Sequence, residues 1–418
     1  MTEQQRVDDM WSDSPSWLRE LSRSHHEGFR AANTRSVWRY SREPLALSSL
    51  SQSHETASWS KALLGWIDCH RIAGYDCYVF HNGQWFSDLS DATDEHVYCW
   101  RAHPGLENAN GALSRQLASP LSAMAQFDLS FVRDGLRIHV PDGQKRRIQI
   151  LTTGSELSES LNTCGLKHMI TVGKAARLDL IECHGPQVDC AMELAQVVSI
   201  DLDDQAICHH HRVYLAGDWD AVFMHDECRL GEESVYQGSR FVSCCGVVRD
   251  GFWSTIGGEA AHCQLNALYL LHSDMQTHQF TQMNHQAPRS TSRQTYRAIA
   301  SGSASVNIHG RVVIDQAAEM VDANQQGKHL VLGSGAKVNT LPEIEVYTDN
   351  VSCAHGACVG QIDADALYYC QSRGLDLDQS RKLLMTSHFE STLMMIECLT
   401  FRAWLKSMSE ALFDLIEH

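Results

Sequence analysis

From residue 136 to 347 the chain is a succession of short alternating runs broken by Gly, Asp and Asn, with no helical run between them. Leu136-Arg137-Ile138-His139-Val140 alternates apolar and polar residues, Pro141-Asp142-Gly143 turns, and Arg147-Ile148-Gln149-Ile150 alternates again. A period of two is that of a strand with one face in a core. The pattern returns at 169–172, 177–181, 197–202, 212–215, 221–224, 234–241, 263–270, 305–308, 312–314, 330–332 and 343–347. No exact repeat is visible. A sandwich or barrel would read similarly over part of this length, but a run of roughly two hundred residues favours stacked coils.

The tight cluster of soft ligands lies where this texture ends. In 342–374, PEIEVYTDNVSCAHGACVGQIDADALYYCQSRG, the residues Cys353, His355 and Cys358 lie within six positions. Glu343-Ile344-Glu345-Val346-Tyr347 alternates as a half-buried strand, and Asp349-Asn350 is turn chemistry. In an extended backbone Cys353 and His355 point to the same face. A thiolate beside an imidazole suits zinc, iron or an iron–sulfur cluster. Gly356 then loosens the backbone, so that Cys358 either turns back towards the pair or faces away. Three ligands do not close a tetrahedral zinc site, and no Cys-x-x-Cys occurs in the chain. On spacing alone, two buried thiols and a capping histidine are the simpler reading. The sharper one is an incomplete site that a partner completes.

This stretch resembles the SufB/SufD family of scaffold proteins in SUF iron–sulfur cluster assembly, and its SufD members in particular. That family shows a Pro-x-Leu-x-Ile strand, Asp-Asp-Val, Cys-x-His-Gly-Ala, a Val-Gly step and a Phe-Tyr-Leu-x-Ser-Arg-Gly helix. The matching positions are Pro342, Ile344, Val346, Asp349, Val351, Cys353, His355, Gly356, Ala357, Val359, Gly360, Asp363, Tyr368, Ser372, Arg373 and Gly374. Asn350, Ala354, Cys358 and Cys370 depart from it. Upstream, His285, Pro288, Ser292, Tyr296, Ser305, Gly310, Val313, Ala317, Asp322, Gln325, Leu330 and Leu332 follow the family pattern, and Trp38-Arg39-Tyr40-Ser41 resembles its Trp-x-Tyr-Thr motif.

The resemblance implies a mainly β fold: a right-handed parallel β-helix core over 136–362, a mixed, mostly helical region over 1–135, and a C-terminal helical domain over 363–418. It implies a non-catalytic subunit that pairs with a SufB-like protein through the end of the β core. The ATPase SufC would bind the C-terminal region. Cys353 and His355 would help ligate a transient iron–sulfur cluster shared with SufB; as metal ligands the candidates are His355, Cys353 and Cys358. Reduced flavin belongs to some complexes of this kind, but no residue here identifies a flavin site. A SufB-like paralogue is the same-family alternative; it usually carries a Glu-His-Glu-Ala type segment where this chain has 353–357. A β-helical enzyme acting on polysaccharide is the different-class alternative, with Asp201, Asp203 and Asp204 as its nearest carboxylates. A third is a purely structural subunit in which Cys353 and His355 only pack.

Composition narrows the setting. A formal charge of −17 on 418 residues argues against a nucleic-acid partner, whose phosphates need clustered Lys and Arg. The start, MTEQQRVDDMWSD, is not a secretory signal, and no run of about eighteen apolar residues predicts a membrane span. Fifteen cysteines without framework spacing point to a reducing compartment, hence the cytoplasm. Helices are expected at 14–32, 59–73 and 110–127, and a hairpin around Asn82-Gly83. After Asp363 the apolar spacing becomes three to four residues, through Leu384, Phe389, Leu393, Leu405 and Met408. Helices placed there are expected to dock on the open end of the β core and protect its edge.

The remaining motifs are mostly negative. Gly165-Leu166-Lys167-His168 and Val172-Gly173-Lys174-Ala175 lack phosphate-loop spacing, and Gly333-Ser334-Gly335-Ala336-Lys337 lacks a following helix, so no ATP site is expected. Cys208-His209-His210-His211 cannot converge from consecutive strand positions and reads as a solvated turn. Cys244-Cys245 reads as a pair of core thiols.

Overall fold

The computed structural model describes residues 61–102, 132, 134–155, 162–188, 192–214, 219–243, 246–394, 396 and 398–416. The helices expected at 14–32 and 110–127, the motif at 38–41 and Cys244-Cys245 lie outside them. Two ladders of parallel strands alternate along the chain, so that each coil contributes one strand to each. The first ladder runs through Lys145–Ser155, Arg177–Val188, Ile207–Tyr214, Val235–Val242, His262–Leu271, Thr291–Ala300, Val321–Val331 and Val351–Gly360. The second runs through Leu136–Val140, Asn162–Val172, Met192–Leu202, Trp219–Leu230, Val247–Ile256, Gln276–His285, Ser305–Ile314 and Lys337–Val346. The fold is a parallel β-helix with a C-terminal helical region. At its beginning, Asp76–His81 and Gln84–Trp85 form the expected hairpin, with Asn82 and Gly83 at φ 50° and 75°.

Register turns the fold into columns. Ile148 pairs with Leu180, then His210, Gly238, Leu265, Gln294, Gln325 and finally His355. The corner between the second and first ladders repeats once per coil. Ala175, Gln205, Glu233, Ala260, Arg289 and Met320 adopt a left-handed conformation there, with φ between 53° and 60°. Each donates its N–H to the corner of the next coil, as Ala175 does to the Asp204 carbonyl at 2.9 Å and Met320 to the Asn350 carbonyl at 2.6 Å. These axial hydrogen bonds offset a conformation that costs a non-glycine residue about 1 kcal/mol or more. The next residue is small and buried in five of these corners: Ala176, Ala206, Ser234, Ala261 and Ser290. Here is the repeat that identity alone does not reveal.

Three strands, Val247–Ile256, Gln276–His285 and Thr291–Ala300, are absent from the sequence pattern because polar residues hold many of their inward positions, Asp250, Gln279, Thr281 and Gln294 among them. Those groups pair inside the bore. Tyr269 Oη donates to Gln279 Oε1 at 2.9 Å, and Tyr296 Oη to Gln294 Oε1 at 2.8 Å. Further in, Glu182, Arg212, Asp226, Arg240 and Asp250 form a fully buried ionic cluster. Arg212 bridges Glu182 at 3.1 Å and Asp226 at 2.9 Å, and Arg240 continues to Asp226 and to Asp250.

Helix α1 (Lys61–His70) answers the expected helix at 59–73. After the coils come α2 (Ala364–Ser372), α3 (Leu377–Leu393) and α4 (Leu399–Ile416). Asp363 caps α2, and Asp376 with Gln379 forms a capping box on α3. These helices do not cover the open end of the core, contrary to expectation. Met385, Phe389, Leu393, Phe401, Leu405 and Phe413 pack with α1 on the outer face of the first ladder, against Val213, Phe241, Leu268 and Ile299. The reason is that the outer face of the middle coils is aliphatic and aromatic, whereas the last strand turns Ser352, Ala354, Gly356 and Cys358 outward. The strands Lys337–Val346 and Val351–Gly360 therefore remain ladder edges among the described residues.

Burial alone would raise the Glu182 carboxyl, but Arg212, and then His210, hold it well below the usual carboxylate range. Its stabilising contribution is full above the unfolded value of about 4.3 and is lost as pH falls through the depressed folded value. Arg212→Ala is expected to cost about 3–5 kcal/mol by chemical denaturation near pH 7, because it strands two buried carboxylates. The same variant should lose this part of the acid dependence below about pH 4.3.

Candidate functional site

The last strand of the first ladder, Val351–Gly360, carries all three candidate ligands. Its backbone is held by ten register pairs to Val321–Val331 and, through Asn350, by the corner hydrogen bond from Met320. Cys353 pairs with Ala323 and His355 with Gln325. Both partners face the bore, so Cys353 and His355 share the inner face at its open end. Cys353 is half-buried against the terminal apolar cluster of Val312, Ile314, Ala318, Val321 and Ala323. His355 is exposed at the mouth.

Gly356 does not interrupt the strand, which continues regularly to Gly360. Cys358 therefore lies at an odd offset from the pair and faces outward, in register with Lys328 and, one coil further, Arg297. The structure thus separates Cys358 from the other two. Arg297 is half-buried, and Cys358 lies close enough to act on its charge. Burial pushes the Cys353 thiol above its ordinary value, Asp322 adds to this, and a backbone hydrogen bond at Ala323 offsets part of it. A Cys353 thiolate therefore needs a neighbouring cation or metal. No three His, Cys, Asp or Glu side chains converge on a metal-sized site among the described residues. The open end offers two soft donors on one face, fewer among the described residues than a closed metal site takes.

The other motifs resolve differently. Cys208, His209, His210 and His211 are a strand, not a solvated turn, and all four are buried. Both faces of this strand are covered. His210 points inward to Glu182 at 2.7 Å, while His211 points outward and stacks on Phe401 of α4 with ring centroids 4.7 Å apart. Asp201 lies 3.4 Å from Arg229, and Asp204 accepts the Glu232 N–H at 3.1 Å; with Asp203 they flank a corner rather than line a groove. Lys167 is an outward strand residue near Ser199, pushed down to about 8 by burial, and Lys174 sits at a corner near Asp204. Gly333-Ser334-Gly335 is a bend between strands. On the helices, Tyr368, Tyr369, Leu383, Met394 and Leu399 are exposed. The sequence marks Gln325 as a family position but not its place inside the bore beneath His355, and it does not mark Gln294 or the Glu182–Arg212 cluster at all. Their signal is register, which needs the corner repeat to be recognised first.

The family model for the SufBD core domain of SUF system FeS cluster assembly matches residues 156–388. The iron–sulfur cluster assembly protein SufD of Escherichia coli K12 is 24% identical over 310 residues, covering 73% of this chain and 72% of that protein. A SufBD family protein of Synechocystis is 38% identical over 109 residues, 26% of this chain and 24% of that protein. A Mycobacterium leprae member is 27% identical over 211 residues, 48% of this chain and 50% of that protein.

Exposure separates the thiols kinetically. Under limiting iodoacetamide in the native state, Cys358 is expected to alkylate about tenfold or more faster than Cys353, and Cys183, Cys208 and Cys263 only on unfolding. Peptide mass spectrometry reads the order.

Proposed function

Since this chain belongs to the SufBD core family of the SUF iron–sulfur cluster assembly system, we propose that it is the SufD-like subunit of a scaffold completed by a SufB-like protein and a SufC-type ATPase. The observation that carries this reading is the placement of Cys353 and His355 together on the inner face of a terminal strand. Lys337–Val346 and Val351–Gly360 present backbone donors and acceptors at the end of both ladders, the arrangement that strand addition by a partner uses. A SufB-like chain docked there brings its own donors to the two that this chain supplies. The nascent cluster is cargo of this interface.

The chain itself has no catalytic role in this scheme. The ATPase docks on the C-terminal helices, whose exposed Tyr368, Tyr369, Met394 and Leu399 offer apolar contact. Its closure on binding ATP is transmitted through α3 and α4, packed on the first ladder, to the interface at the ladder's end. Opening of that interface exposes the half-buried Cys353. Neutral His355 donates a ring nitrogen to iron, and iron in turn stabilises the Cys353 thiolate.

Co-purification of the tagged chain with its natural partners, followed by anaerobic reconstitution, tests the reading. His355→Ala is expected to retain the complex and to lose most of the cluster absorption. Cluster formation at the wild-type rate and yield in that variant removes the ligand role.

A further inference from the structure

The inner column that ends at His355 is polar over its last three members, Gln294, Gln325 and His355, each in register with the next. Parallel neighbours lie about 4.8 Å apart, so their side chains stack along the axis of the bore. Gln294 is 1% exposed and Gln325 4%. Gln294 is anchored from the side, since its Oε1 accepts from Tyr296 two residues along the same strand. Gln325 reaches across the bore to the opposite ladder. A Cβ on Gly310 would collide with the Gln325 amide nitrogen and stand 2.8 Å from Gln294 Oε1. The absence of a side chain at Gly310 is what lets the Gln325 amide lie there, with its nitrogen on the side of the Gln294 oxygen.

That orientation leaves Gln325 Oε1 as a buried acceptor with no hydrogen-bond partner in the structure. A buried carbonyl without a donor is costly, on the order of 1–3 kcal/mol. The next residue of its column is an imidazole at the mouth, whose ring N–H is a donor of the right kind. We propose that Gln325 is the positioning residue for His355: its carbonyl takes the proton-bearing ring nitrogen, fixing the tautomer and turning the other nitrogen to the open end. The inference rests on the proposed ligand role of His355 for its purpose, though not for its geometry. Ligating histidines generally hold their second nitrogen on such a carbonyl, and loss of that partner weakens metal binding about 10–100-fold. Two other buried groups are rival donors for the same oxygen: the unpartnered Gln294 Nε2, one coil beneath in the column, and His329, whose two ring nitrogens are unpartnered and which leans over Gly327.

Two readouts separate the possibilities. In the full chain with histidine labelled by nitrogen-15, the ring shifts of His355, assigned with His355→Ala, report its tautomer while the ring is neutral. The wild type is expected to show one dominant tautomer. Gln325→Leu should bring both into comparable population, and Gln325→Glu, which keeps an acceptor oxygen, should restore one. In the co-purified complex, ferrous iron titrated anaerobically should bind about tenfold or more weakly in Gln325→Leu. If His355→Ala leaves iron binding unchanged, the ligand reading fails while the tautomer measurement still decides the role of Gln325. An unchanged His355 tautomer in a folded Gln325→Leu chain overturns the proposal, as does a change confined to His329. Should Gln325→Leu not fold, Gln325→Glu against Gln325→Met gives the same comparison.

Discussion

The structure depends on in-register stacking of one coil on the next. A parallel ladder gives every residue a neighbour above and below at the same depth, so an inward side chain in one coil fixes what the next can accept. The left-handed corner residues hold that register from outside the sheets, each tied to the following coil by its N–H. A slip of one residue at any corner would move Cys353 and His355 to the outer face and bring Cys358 inward. The site at the open end is thus set by hydrogen bonds made many coils away from it.

The interior deals with polarity in two ways. In the middle coils a closed ionic cluster pairs Glu182, Asp226 and Asp250 with Arg212 and Arg240, beyond the reach of water. Such a cluster adds little net stability over an apolar core but penalises any register that separates its members. Towards the open end the charges give way to tyrosine, threonine and glutamine, and the column finishes with His355. Helices α3 and α4 leave this gradient undisturbed, because they lie on the flank. The same placement leaves both ladder edges available for another chain.

Much of this was legible in the sequence where one face of a strand is apolar. Leu136–Val140 alternates cleanly, and its strand was found to the residue. Thr291–Ala300 does not alternate, since Gln294 and Tyr296 point inward to each other rather than to aliphatic neighbours, and period counting passes over it. The same cause made His209-His210-His211 look like a solvated turn: a strand buried on both faces with polar residues has no hydrophobic period. Adjacency of Cys353 and His355 followed from strand geometry alone, whereas the side on which Cys358 falls required knowing that Gly356 continues the strand. The docking face of the helices was illegible, because it depends on which outer columns are apolar, and columns exist only once register is known.

In the proposed role of this chain, the His355 imidazole reaches a cluster held at the end of the bore. The direct measurement is pulsed electron paramagnetic resonance on the reduced, assembled complex, with nitrogen-15 histidine placed in this chain only. A nitrogen-15 hyperfine coupling to the cluster, abolished by His355→Ala, is the predicted result. A cluster-loaded complex that shows no such coupling, or keeps it in the variant, contradicts the account.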